Sequence, residues 1–138
     1  MPVIRRGQTE DFAEIAAIQA ASPEAAQWET ADYGRYDLWV AICDDRIGGF
    51  LVARPLGEGE SEILNLAVSP EFRRKGLGRA LLSTLIAGYR GSIFLEVRES
   101  NLAARNLYKS MEFQEISSRR GYYDFPQETA IVLKFHSC

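Results

Sequence analysis

Histidine and cysteine are almost missing from this chain of 138 residues: His136 stands alone, and Cys43 and Cys138 are the two thiols. A lone histidine argues against a histidine-based triad and against a zinc site. Two cysteines, one in an apolar stretch and one at the last position, give neither a disulfide framework nor metal-ligand spacing. Such sparing cysteine use leads us to expect a reducing, cytoplasmic setting and no metal. Long hydrophobic runs are also missing. No stretch reaches the roughly 20 apolar residues of a membrane-spanning helix, and Met1 to Gly7 carries Arg5 and Arg6 but no apolar signal core. Nor is there an excess of positive charge. Sixteen Lys and Arg against 19 Asp and Glu leave a net charge of −3, which excludes charge-driven binding of the whole chain to nucleic acid or a membrane.

What is present is an ordinary globular composition, 46% hydrophobic and 25% charged, with no repeat, low-complexity tract or linker. A single domain over 1–138 is expected. Val3 to Arg5 reads as a short strand, and Thr9 as the N-cap of an amphipathic helix through Ala21 with Phe12, Ile15, Ala16 and Ile18 on its apolar stripe. Pro23 to Thr30 reads as a second short helix. Leu38 to Cys43, Ile47 to Ala53 and Glu62 to Val68 form an antiparallel meander. Leu77 to Tyr89 reads as a helix, Ser92 to Arg98 as a strand, Ser100 to about Met111 as a helix, and Phe113 to Arg119 and Thr129 to Phe135 as the last strands. The strands at 62–68 and 92–98, joined through a helix, should lie parallel and adjacent in a mixed sheet.

The most informative stretch runs from Val68 to Leu82, where a basic, glycine-containing turn joins an apolar strand to a helix. The first turn of a helix leaves amide N–H groups without intrahelical partners and carries the positive end of the dipole, so it attracts an anion. Gly76 and Gly78 lack a Cβ, which admits a diphosphate close to the main chain. Residues 71 to 79 hold Arg73, Arg74, Lys75 and Arg79 against Glu71, a local charge of +3 on an acidic chain. A nucleoside-triphosphate P-loop needs G-x-x-x-x-G-K-[ST], and a dinucleotide fingerprint needs a third glycine near position 81, where Leu81 stands. Neither fits. A solvated basic turn that only caps a helix remains the bland alternative.

Arg73-x-x-Gly76-x-Gly78 resembles the acetyl-CoA signature R/Q-x-x-G-x-G/A of the GNAT superfamily of N-acetyltransferases, and the order of elements is similar to that fold along essentially the whole chain. Leu95-Glu96-Val97-Arg98, Asn101 through Tyr108, and Arg120-Gly121-Tyr122-Tyr123 resemble, in order and spacing, the bacterial ribosomal-protein-alanine N-acetyltransferases. The resemblance implies an α/β mixed sheet, mostly antiparallel with a splayed parallel pair, and acetyl-CoA as co-substrate. It implies that the backbone of Leu66, Ala67 and Val68 pairs with the pantetheine arm like an added strand. By the same resemblance Arg73, Arg74, Lys75, Gly76, Leu77, Gly78 and Arg79 hold the pyrophosphate, and Asn101 makes a further cofactor contact.

Acetyl transfer from a thioester to an amine needs a neutral amine, a polarised carbonyl and a proton for the departing thiolate. The resemblance places Glu96 as general base, Tyr108 as general acid, and a backbone N–H near Val68 on the carbonyl. A phenol can protonate a thiolate at an uphill cost of only about 2 kcal/mol. A carboxylate becomes an effective base through burial or a bridging water. Without the resemblance, Glu96 reads more readily as a partner for an arginine on a sheet face, and Tyr108 as a core aromatic, than either does as a catalytic group; the resemblance reverses that preference.

The resemblance also implies a protein N-terminus as acceptor. Presenting a neutral α-amino group at pH 7 costs about 1.4 kcal/mol, against about 4.6 kcal/mol for a lysine. Glu58, Glu60 and Glu62 could attract a basic peptide or simply be solvated, and Tyr122 and Tyr123 could wall a groove or pack a hairpin. The chain departs from the family at Glu112-Phe113, where Gly-Phe is usual. It departs again at Thr129 before Ala130, where the family carries an acidic residue, and at Gln27 before Trp28 in place of proline. A small-amine acetyltransferase and a non-catalytic acyl-CoA-binding module are the alternatives, and the presence of both Glu96 and Tyr108 argues against the second. A monomer or weak homodimer is expected.

Overall fold

The computed structural model describes residues 2–124 and 127–137, and side chains outside 121–127 and 137. Seven strands form one mixed sheet in the order β1-β2-β3-β4-β5-β7-β6: β1 Val3–Arg6, β2 Asp37–Cys43, β3 Arg46–Gly57, β4 Glu60–Val68, β5 Gly91–Arg98, β6 Gln114–Asp124 and β7 Gln127–Ser137. Three α-helices accompany them: α1 Phe12–Ala20, α2 Leu77–Gly88 and α3 Leu102–Ser110. The expected parallel pair is present, with β4 and β5 in register from Glu60 opposite Ser92 to Ile63 opposite Leu95, and β4 continues past this ladder to Val68. Chain contacts divide the fold into two compact units, 1–54 with 64–88, and 55–63 with 89–138.

In the first unit the alternation of β4 puts Asn65 and Ala67 on its buried face. Ile15, Ile18, Tyr33, Val40, Phe50, Val52 and Ala67 form the core there. Helix α2 buries Leu77, Gly78, Leu81, Leu82 and Leu85, the stripe expected of a helix laid on a sheet. In the second unit Ile93, Leu95 and Val97 of β5 are buried with Leu133 and Ile131 of β7, and the register sets Leu95 opposite Leu133 and Val97 opposite Ile131. Gly91 sits at φ +107, and a Cβ there would collide with the backbone of Gly59; only glycine fits this strand start. Strand β6 pairs with β7 as an edge, with irregularities between Glu115 and Ser117 and between Arg119 and Tyr123.

Three expectations need correction. Thr9 does not cap a continuous helix. A 3₁₀ turn covers Thr9–Asp11 first, and the Gln8 N–H donates to the Asp11 carboxylate at 2.8 Å. Residues 23 to 30 are not a helix but turns and irregular backbone, followed by a 3₁₀ helix at Thr30–Arg35. Ser100 does not start the third helix, because Asn101 is its N-cap and accepts the Ala104 N–H at 3.2 Å.

Candidate functional site

The residues singled out by the sequence fall into two groups, one in each unit. In the first unit β4 ends at Val68, a 3₁₀ turn covers Pro70–Phe72, and a tight bend leads into α2. The bend uses two left-handed residues, Arg74 at φ +65 and Gly76 at φ +78. The first intrahelical bond runs from the Ala80 N–H to the Gly76 carbonyl at 3.0 Å, so the amides of the preceding turn have no i−4 partner. No acidic residue lies in that first turn. Arg74, Lys75, Gly76 and Arg79 are exposed, and a Cβ added at Gly76 would meet nothing within 4 Å. Open space, helix N-terminus and positive charge therefore coincide, which is what a diphosphate requires.

Arg73 behaves differently from its neighbours. Its Nε donates to the Val68 carbonyl at 3.2 Å, and its Nη2 donates to Glu24 at 2.9 Å and to Ser22 Oγ at 3.5 Å. The guanidinium thus ties the end of β4 to the loop after α1. Lys75 and Arg46 stand over the Phe72 ring at 5.5 and 5.3 Å, and Arg46 grips Glu71 with two hydrogen bonds at 3.1 and 2.9 Å, which hold that carboxyl below its ordinary range.

Sequence reasoning missed Asn65. This buried asparagine interrupts the apolar run Ile63-Leu64-Asn65-Leu66-Ala67-Val68, and that interruption was the available signal. Its Oδ1 accepts the Leu66 N–H at 3.0 Å. Its Nδ2 donates to the Ala26 carbonyl at 2.9 Å, to Tyr33 Oη at 3.0 Å and to Gln19 Oε1 at 3.2 Å. The Tyr33 hydroxyl in turn donates to Gln19 Oε1 at 2.5 Å, and burial pushes its phenol pKa up. Among the described residues no buried side-chain nitrogen or oxygen lacks a hydrogen-bond partner.

In the second unit, Glu96 on β5 is half-buried and its Oε1 lies 3.4 Å from Arg119 Nη1. The partnership with an arginine on a sheet face is therefore real. Tyr108, near the end of α3, is 5% exposed and packs its ring, tilted, 5.5 Å from that of Phe113, which in turn lies tilted 5.4 Å from Phe135. Helix α3 is fastened to β6 by Arg105, which donates to Glu115 at 2.8 and 3.1 Å and to the Glu99 carbonyl at 2.7 Å. Those bonds hold the Glu115 carboxyl below the usual carboxylate range. Asn101 spends its side-chain oxygen on the Ala104 N–H, which leaves its amide NH₂ as the group able to serve a ligand. At the other end of the strand, hydrogen bonds from Ser100, one of them from its N–H at 2.6 Å, hold Glu128 ionised below its ordinary range, with Arg98 contributing less. The side chains of Tyr122 and Tyr123, and Cys138, lie outside the described residues.

Among the described residues no helix is long and apolar enough to cross a membrane. The model of the acetyltransferase (GNAT) family matches residues 5–113. Over 96 residues the sequence is 44% identical to the ribosomal protein bS18-alanine N-acetyltransferase of Salmonella typhimurium, covering 65% of this chain and 64% of that protein. The chain thus spans a little under two thirds of the length of that curated relative. Among solved structures, the ribosomal-protein-S18-alanine N-acetyltransferase of Escherichia coli matches with a TM-score of 0.83 at 31% identity, over 100% of this chain and 96% of that one. Ard1 of Thermoplasma volcanium matches with a TM-score of 0.90 at 25% identity, over 99% and 98%.

Proposed function

Since the chain belongs to the acetyltransferase (GNAT) family, we propose that it transfers an acetyl group from acetyl-CoA to an amine, and that this amine is the α-amino group of a protein N-terminus. The observation that carries the reading is the start of α2, where Gly76, with open space around it, meets the exposed positive side chains of Arg74, Lys75 and Arg79. The amides of Gly76, Leu77, Gly78 and Arg79 would hold the pyrophosphate, and the three side chains would supply charge. Beside them the backbone of Leu66, Ala67 and Val68 would receive the pantetheine arm. Since Asn65 already occupies the Leu66 N–H, Leu66 offers its carbonyl, and Val68, two residues on along the same edge, offers the N–H.

Acetyl-CoA supplies the activated acyl group as a thioester. The chain supplies the proton traffic. A carboxylate oxygen of Glu96 takes a proton from the incoming ammonium, directly or through a water, and Tyr108 Oη gives one to the departing sulfur. A protein N-terminus as acceptor draws support from the names of the relatives and from the lower cost of deprotonating an α-amino group.

Two measurements test this reading. Calorimetry should detect acetyl-CoA binding, and its failure would end the proposal. Thiol-release assays on peptides with free N-termini, run beside polyamines and amino acids, should show turnover with the peptides. Turnover confined to small amines would move the acceptor to that class.

A further inference from the structure

Strand β5 ends at Arg98 and helix α3 begins at Leu102, so Glu99, Ser100 and Asn101 join them. Every main-chain group of these residues is taken. The Glu99 N–H donates to the Thr129 carbonyl and the Asn101 N–H to the Arg98 carbonyl, each at 3.0 Å. The Ser100 carbonyl accepts from the Leu102 N–H at 2.8 Å, and the Asn101 carbonyl from the Arg105 N–H at 3.0 Å. Side chains take the remaining two groups. Glu128 Oε2, on β7, accepts the Ser100 N–H at 2.6 Å, and Arg105 Nη1, on α3, donates to the Glu99 carbonyl at 2.7 Å. Both side chains are themselves held: Glu128 meets Arg98 at 3.4 Å, and Arg105 grips Glu115 of β6 at 2.8 and 3.1 Å. At 16% and 18% exposure the two side chains make these charge-assisted bonds largely away from bulk water, where such bonds are strongest. A connection with no spare main-chain group has little freedom to move.

We propose that Arg105 and Glu128 are positioning residues for acetyl transfer, which brace this junction and so set where the Tyr108 hydroxyl stands relative to Glu96. The inference rests on the functional reading above, which gives the two proton transfers to Glu96, on the strand before the junction, and Tyr108, on the helix after it. Leverage makes the junction matter. Tyr108 follows Asn101 by seven residues, which is about 10 Å along a helix. A pivot of about 10° at the junction carries Tyr108 through roughly 2 Å, and a misplacement of about 1 Å is enough to slow a reaction about a hundredfold. Arg105→Lys keeps a charge for Glu115 but lacks the fork that serves Glu99 as well. Glu128→Ala strips the Ser100 N–H of its acceptor, whereas Glu128→Gln keeps an oxygen there.

In turnover assays with the full chain, Arg105→Lys and Glu128→Ala are each expected to lower kcat by about fivefold or more while the acceptor KM stays within about twofold, the mark of a transition-state effect. Glu128→Gln should recover most of that loss. On a Tyr108→Phe background the effect of Arg105→Lys should shrink to within about twofold, because the hydroxyl it places is gone; a general weakening of the fold would persist there. On the protein alone, exchange of the 99–101 amides should quicken by about tenfold or more in Glu128→Ala. Should Glu128→Ala not fold, Arg105→Lys and its cycle with Tyr108→Phe carry the test. Unchanged kcat in an active chain, a change confined to KM, or a loss undiminished without the Tyr108 hydroxyl overturns the proposal and leaves the functional reading standing. Unchanged amide exchange overturns it as well. A parent chain that acetylates no amine is a failure of the functional reading; the proposal falls with it, and the exchange data then report on the junction alone.

Discussion

Arg119 Nη1 lies 3.4 Å from Glu96 Oε1, reaching from β6 past the intervening strand β7 to β5. The arginine side chain is 58% exposed and the glutamate 18%, so as an ion pair the contact is worth under about 1 kcal/mol. Urea unfolding of Arg119→Gln should therefore shift stability by less than that amount. Glu96→Gln should be equally mild in unfolding yet lower kcat by about tenfold or more at neutral pH. Two variants with undiminished turnover would reduce the pair to a surface contact.

Tyr108 combines a packed ring with a hydroxyl that we propose serves the sulfur, and two substitutions divide those duties. Tyr108→Phe keeps the ring on Phe113 and should cost under about 1 kcal/mol of stability, while kcat falls about tenfold or more. Tyr108→Ala, which empties a site only 5% exposed, should cost about 3–5 kcal/mol in thermal or chemical unfolding. Equal turnover of the phenylalanine variant and the parent would take the proton transfer away from this residue.

Glu112 occupies the place where related chains carry glycine, and it takes the glycine conformation nonetheless, at φ +73. The helix closes around it: the Phe113 N–H returns to the Tyr108 carbonyl and the Glu112 N–H to Lys109, each at 3.0 Å. An L-residue held there costs about 1 kcal/mol. Glu112→Gly, at an exposed site, should accordingly raise the unfolding midpoint by the equivalent of about 0.5–1 kcal/mol, the greater freedom of glycine in the unfolded chain offsetting part of the gain. A lower midpoint would contradict this.

Acid should weaken the fold through Asp11. Two hydrogen bonds from Arg5, at 2.8 and 3.0 Å, hold its carboxyl below the ordinary range. The unfolded chain therefore takes up this proton at higher pH than the folded one. The stability Asp11 adds is complete above the usual aspartate range and is lost as pH falls through the depressed folded value. With Arg5 partly exposed, Asp11→Asn should cost about 1–2 kcal/mol at pH 7. The gap from the parent should close on titration toward pH 2, and a gap that stays constant would remove Asp11 as its source.

The elements that periodicity and glycine punctuation reveal are those whose causes are local: the apolar strands, α2 with its leucine stripe, and the parallel pairing of β4 and β5. The basic turn and Gly76 were legible because charge, missing Cβ and position before a helix are all written in neighbouring residues. Where the reading failed, the cause lies far off in sequence. Residues 23 to 30 read as helical, yet the carbonyls of Ala25, Ala26 and Trp28 are taken by Gln27, Asn65 and Gln19, Asn65 lying 39 residues away from its partner Ala26. The contact of Arg73 with Glu24, 49 residues earlier, was likewise invisible to a local reading. Ser100 and Asn101 are both good caps, and the Glu128 carboxylate engages the Ser100 side chain as well as its N–H, leaving the capping to Asn101.

Strand β6 closes one side of the sheet with its ladder interrupted twice, and Arg119 and Arg120 stand at its second irregularity. An uninterrupted outer strand offers a neighbouring chain a ready row of amides and carbonyls, and Ile116, 50% exposed, would add an apolar foothold. Kinks and guanidinium groups deny that row its straightness and burden an approaching strand with charge it must desolvate. The same segment that brings Arg119 to Glu96 thus also guards the protein against recruiting copies of itself into a growing ribbon.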